Sequence, residues 1–142
     1  MTKLFTILLL SILLLGTPLL AKETPSVTVE VSSDTAKDCT TGIYLWGCNL
    51  YWEETDTRKI YISDKLNAQD FEYVFWHEIF HFLISVKDEK DLSLFENDEE
   101  LGAYLFANFV MDNPPCYQEY IEHCSGPSKE MEVFFERLLI EN

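Results

Sequence analysis

At 142 residues the chain has room for one domain. Ten Lys and Arg against 25 Asp and Glu give a formal charge of −15, which argues against a nucleic-acid ligand and against an anionic membrane surface. The charge favours a basic peptide or protein as partner, and solubility alone explains it equally well.

Residues 1–21 read as a secretory signal peptide. Lys3 supplies a positive start, 4–15 an apolar run, and Pro18 and Ala21 a break and a small cleavage-site residue. The apolar run approaches spanning length, so an uncleaved anchor is the alternative, and Pro18 and Ala21 favour cleavage after Ala21. Cleavage leaves 22–142 as one domain, exported to the periplasm or the medium and not spanning the membrane. Only Lys3 is lost with the signal, so the formal charge moves to −16. An exported domain of this size has a limited core, and its four cysteines are expected to form two disulfides. The favoured pairing is Cys39 with Cys48 and Cys116 with Cys124. Residues eight apart in a straight helix lie about 12 Å from each other, too far to bridge. Either the chain between Cys116 and Cys124 bends, or Cys39 and Cys48 each pair with one of the C-terminal cysteines.

After a polar lead-in, the alternation V-T-V-E-V over 27–31 puts Val27, Val29 and Val31 on one face and predicts a half-buried strand. A polar loop over 32–42 holds Cys39. Segments 43–46 and 49–53 are β-type, interrupted by Gly47, and 58–63 follows as another strand after a polar turn. Asn67 is placed to cap a helix running to Val86, with Asp70 closing a capping box. Phe75, Ile79, Phe82 and Val86 form one expected core stripe, and Val74, His77, His81 and Ile84 (or Ser85) form another. A charged loop spans 87–97, and a second helix, 98–111, is stopped by Asn113-Pro114-Pro115. Residues 117–123 form a short helix or ordered loop. Ser128 caps a last helix with Met131, Phe134, Phe135 and Leu138 on its apolar face. The expected fold is α+β: a small antiparallel sheet of three to four strands packed on a central helix, with two further helices.

That central helix carries His77-Glu78-Ile79-Phe80-His81. Histidines at i and i+4 share a helix face about 6 Å apart along the axis, so both imidazoles can bind one Zn²⁺ ion. Glu78 beside them is the candidate general base for the metal-activated water. A catalytic zinc takes three protein ligands, so a third must come from elsewhere. Ile84 and Lys87 stand where the metzincin extension needs Gly and His. The best remaining donor is Glu100, on a face shared with Ala103, Tyr104 and Ala107, where two small residues allow close helix approach. Glu99 is the reserve. A capping box between Asn97 and Glu100 is the competing explanation.

The H-E-x-x-H motif, followed by Glu100, Ala103, Phe106 and Ala107 in E-x-x-A-x-x-F-A spacing, resembles the gluzincin metallopeptidases, and within them the minigluzincin and ImmA/IrrE-like group. The resemblance spans 58–111. It implies that His77, His81 and Glu100 bind one zinc per chain, that Glu78 activates water, and that a small sheet edges the cleft. The function expected is that of an exported zinc metalloendopeptidase acting on a peptide or protein, with a zinc-stabilised, peptidase-like binding or inhibitor module as the alternative. Tyr104, Tyr117, Tyr120 and His123 are candidate donors to a developing oxyanion, unranked by spacing. The strand at 58–63 is the expected edge for an added substrate strand.

Overall fold

The computed structural model describes residues 26–43 and 45–140, so the signal-peptide segment 1–21 lies outside the described residues. Three strands, β1 (Val27–Ser32), β2 (Gly47–Trp52) and β3 (Thr57–Ser63), form one sheet in the order β1-β3-β2. The α+β expectation holds with three strands, but the sheet is mixed. β2 and β3 pair antiparallel across a short turn in which Asp56 takes a left-handed conformation (φ 45°). β1 pairs parallel to β3, from Val27 beside Arg58 to Ser32 beside Ser63. Apolar alternation is the same for either direction, so it could not tell the two pairings apart.

Gly47 opens β2 instead of interrupting a strand, and no strand covers 43–46, of which Tyr44 is not described. β3 is the central strand, with Ile60 and Ile62 fully buried. Val29 and Val31 stand in register with those isoleucines yet are 40% and 63% exposed. The helix α2 (Ala68–Val86) packs over β2 and β3, and β1 lies beyond that cover.

The Asn67 carboxamide caps α2, accepting from the Gln69 and Asp70 amides at 3.0 Å each, and its own amide donates to Asp70 at 2.6 Å. The deepest residues of α2 are Tyr73, Val74, Glu78, Phe80 and Ile84, whereas Phe75, Ile79, Phe82 and Val86 are half-buried. The reason is α3 (Glu99–Val110), which packs along α2 and draws Phe80 into the centre of the core. Phe80 meets Phe95, Phe106 and Phe135 at centroid distances of 5.6 to 6.1 Å, and all four rings are fully buried. Phe95 comes from a 3-10 turn (Ser93–Phe95) inside the charged 87–97 loop, and Phe135 from α4 (Lys129–Ile140). Ser128 caps α4 through the Met131 amide at 3.4 Å.

Gly102 lets α3 come this close. A Cβ there would sit 2.8 Å from Phe80 Cζ and 3.2 Å from Phe95 Cδ2. Alanine would gain about 1 kcal/mol of helix propensity, but overpacking typically costs about 1–3 kcal/mol. Phe80 and Phe95 are fully buried and packed against further aromatic rings, so overpacking is expected to dominate. Gly102→Ala is expected to lower the melting temperature by about 4 °C or more. A melt by circular dichroism checks this, and an unchanged or higher midpoint would contradict the packing described.

Both disulfides follow the favoured pairing. Cys39–Cys48 ties the end of a short helix, α1 (Thr35–Asp38), to β2, with Cα atoms 6.1 Å apart. Cys116–Cys124 brings Cα atoms within 5.3 Å because the intervening 3-10 segment (Gln118–His123) is broken at Tyr120 (φ −117°, ψ 25°). Two disulfides fit an oxidising compartment. No described helix is long and apolar enough to cross a membrane.

Candidate metal centre

Tyr73, His77, His81 and Ser85 recur every four residues along α2 and so line one face of it. The Nε2 atoms of His77 and His81 are 3.2 Å apart. Across from them, Asp98 caps α3, accepting from the Glu100 amide at 3.0 Å, and Ala103 and Ala107 are fully buried. Asn97 lies before that cap in a left-handed conformation (φ 60°), so the capping box drawn from Asn97 is not formed and the Glu100 side chain is free to face α2. Its Oε2 lies 3.1 Å from His77 Nε2 and its Oε1 3.4 Å from His81 Nε2. One ligand atom from each of His77, His81 and Glu100 lies within 4.8 Å of the others, and this group could hold a metal ion.

The donor set suits a metal ion on two grounds. Nitrogen and oxygen ligands about 2.0–2.1 Å from a tetrahedral centre stand about 3.3–3.4 Å from one another, close to the spacings seen here. The second ground is protonation. His81 Nδ1 lies 2.5 Å from Glu99 Oε1, and a carboxylate only accepts, so Nδ1 carries the proton. That leaves Nε2 facing Glu100 Oε1 at 3.4 Å, where a neutral ring would offer its lone pair to a cation shared with the carboxylate. Glu99, the reserve ligand, therefore orients His81 from outside the triad, as partners of metal-binding histidines commonly do. Tyr73 has the corresponding place at His77, its hydroxyl 3.5 Å from Nδ1.

No family model, curated protein or solved structure matches the chain. What can be said of the site comes from its own geometry.

Glu78 is 7% exposed and sits between the triad and β2. A Cβ at position 47 would lie 2.5 Å from Val74 Cγ1 and 3.5 Å from Glu78 Oε1, so Gly47 lets the strand approach the base. Asn49 donates to the Glu78 backbone carbonyl at 3.3 Å, tying β2 to the same turn of α2. Burial pushes the Glu78 carboxyl up, opposed by the neighbouring His77 and His81, which makes it a better proton acceptor than a solvated glutamate. The hydrogen bond from His77 holds the Glu100 carboxyl below its usual range, against partial burial.

These groups open on a cleft of about 760 Å³ between β2, α2, the first turn of α3 and the loop closed by Cys116–Cys124. Of the four candidate oxyanion donors, Tyr117 and Tyr120 line it, and Tyr104 and His123 do not. Tyr104 is fully buried, stacked beneath Tyr120 at 4.3 Å with its hydroxyl 3.5 Å from Cys124 Sγ. The Tyr117 hydroxyl is engaged, donating to Asp70 at 2.7 Å. Tyr120 has no side-chain hydrogen bond among the described residues, and burial, with Glu119 nearby, pushes its hydroxyl up to about 12, so it stays a donor.

The edge expected at 58–63 is corrected by the sheet order. β3 is paired on both sides and can accept no further strand, whereas β2 borders the cleft with its outer edge unpaired among the described residues. Sequence reading missed Tyr73 and Gly47. The four-residue spacing from Tyr73 to His77 was a usable signal; the approach of Gly47 to Glu78 depends on tertiary packing and left none.

Proposed function

We propose that the chain is an exported, gluzincin-like zinc peptidase in which His77, His81 and Glu100 hold one zinc and Glu78 is the general base. The observation that carries this reading is the convergence of two α2 imidazoles and the Glu100 carboxylate beside a buried glutamate on an open cleft. Zinc bound there would polarise a peptide carbonyl and lower the pKa of a water molecule.

The rest of the chemistry falls to the chain. Glu78 takes the proton from the attacking water and passes it to the leaving amine. Tyr120 donates to the oxygen on which charge develops. Glu99 and Tyr73 keep the two imidazoles turned toward the centre. A peptide lies extended along the free edge of β2, where main-chain hydrogen bonds position it without demanding a particular sequence. Glu99, Glu100 and Glu119 make the cleft around the triad acidic, which suits a neutral or basic segment at the scissile bond.

The test is metal content and turnover of the purified mature protein. About one zinc per chain and cleavage within a mixed peptide library are expected, both lost on chelation. A protein that takes up no zinc would falsify the assignment. Zinc without cleavage of any peptide would favour the alternative, a zinc-stabilised binding module.

A further inference from the structure

Arg58 is the only Lys or Arg among the described residues lining the cleft. In a chain with 25 acidic side chains and ten Lys and Arg, each cation has many potential partners. Arg58 nevertheless makes no salt bridge among the described residues, although Lys59, Lys90, Lys129 and Arg137 each make one. Neutral contacts hold it instead. Its guanidinium carbon stands 4.0 Å from the centroid of the Tyr51 ring, and Nη1 donates to Ser85 Oγ at 2.9 Å. Tyr51 is its cross-strand neighbour in β2, and Ser85 lies on the histidine face of α2.

A guanidinium presents five N–H donors in a fixed plane. The Tyr51 ring and, at 5.8 Å, the Phe82 ring are uncharged neighbours and Ser85 takes one donor, which leaves further N–H donors for a planar acceptor. A carboxylate matches such a fork with two parallel hydrogen bonds. Elsewhere Glu78, Glu99, Glu100 and Glu119 line the cleft and repel an anion. Arg58 is therefore the one cationic side chain among the described cleft residues that could attract a carboxylate away from the triad.

We propose that Arg58 is a carboxylate receptor that sets the register of the bound peptide, an inference that rests on reading the cleft as a peptide site. Ser85 is four residues beyond His81, about 6 Å along the helix. An extended peptide advances about 3.3 Å per residue, so the recognised carboxylate lies about two residues from the bond held at the triad. An acidic side chain and the C-terminal carboxylate of a short peptide offer the same chemistry.

Calorimetric titration of the mature protein in a Glu78→Gln background, where nothing is turned over, separates these sources. Three otherwise identical neutral peptides serve as probes: one with both ends blocked, one with a free C-terminal carboxylate, and one blocked with a single glutamate moved along its length. The expected result is at least tenfold tighter binding of one carboxylate-bearing peptide than of the blocked neutral one. That preference should vanish in Arg58→Gln, persist in part in Arg58→Lys and weaken with salt. The peptide that gains identifies the source. No carboxylate preference without Arg58 substitution, or a preference that survives Arg58→Gln, would overturn the proposal. If Arg58→Gln does not fold, the glutamate position scan, its salt dependence and Arg58→Lys still decide the matter. Cleavage of neutral peptides without carboxylate selectivity would sink this inference alone, and selective binding without any turnover would sink only the peptidase reading.

Discussion

Glu78→Gln is expected to keep about one zinc per chain and to lose peptide hydrolysis by about 10²–10⁴-fold, the range typical of removing a general base. Glutamine fills the same volume in a position that is 7% exposed and closely bordered by Gly47 and Val74, so the fold should survive. What it removes is proton acceptance one residue from His77. Atomic absorption and initial rates on the same preparation check both halves. An active Gln variant would dismiss Glu78 as the base, and an inactive one without zinc would mean that the substitution had damaged the triad.

The second large effect concerns the two glutamates that open α3. Glu100→Ala removes one of three proposed donors and is expected to weaken zinc binding by more than about 100-fold in competition with a chromogenic chelator. Glu99→Ala leaves the triad intact but removes the acceptor 2.5 Å from His81 Nδ1. A loss of about 10–100-fold, the usual effect of removing an outer partner, is expected there. A residue outside the triad with no contact to it would be silent, and the contact of Glu99 with His81 is what sets this expectation. The reverse ranking of the two variants would exchange their roles.

The contrast between these residues shows what a linear reading can carry. His77, His81 and Glu78 were legible because helical spacing alone places them, and Asn67 because capping chemistry is local. Glu100 needed the inference that Ala103 and Ala107 allow close approach, and the helices do pack that way. Gly102 contributes as much, unnoticed, because its value lies in the absence of a side chain opposite Phe80. Phe80 reads as one of several apolar residues suited to a buried helix, and the structure makes it the hub of the aromatic core. Strand direction, the covered and uncovered faces of β1, and the choice between β2 and β3 as the free edge all depend on contacts between distant segments. Alternation within one strand is blind to them.

The triad stands on α2 and α3, whereas Tyr117, Glu119 and Tyr120 belong to the short loop whose ends Cys116 and Cys124 clamp. The candidate metal ligands and this part of the cleft wall thus stand on separate pieces of chain. On the proposed reading, the loop interior apart from Tyr120 could be rewritten to change what enters the cleft while the helices that carry the triad stay as they are.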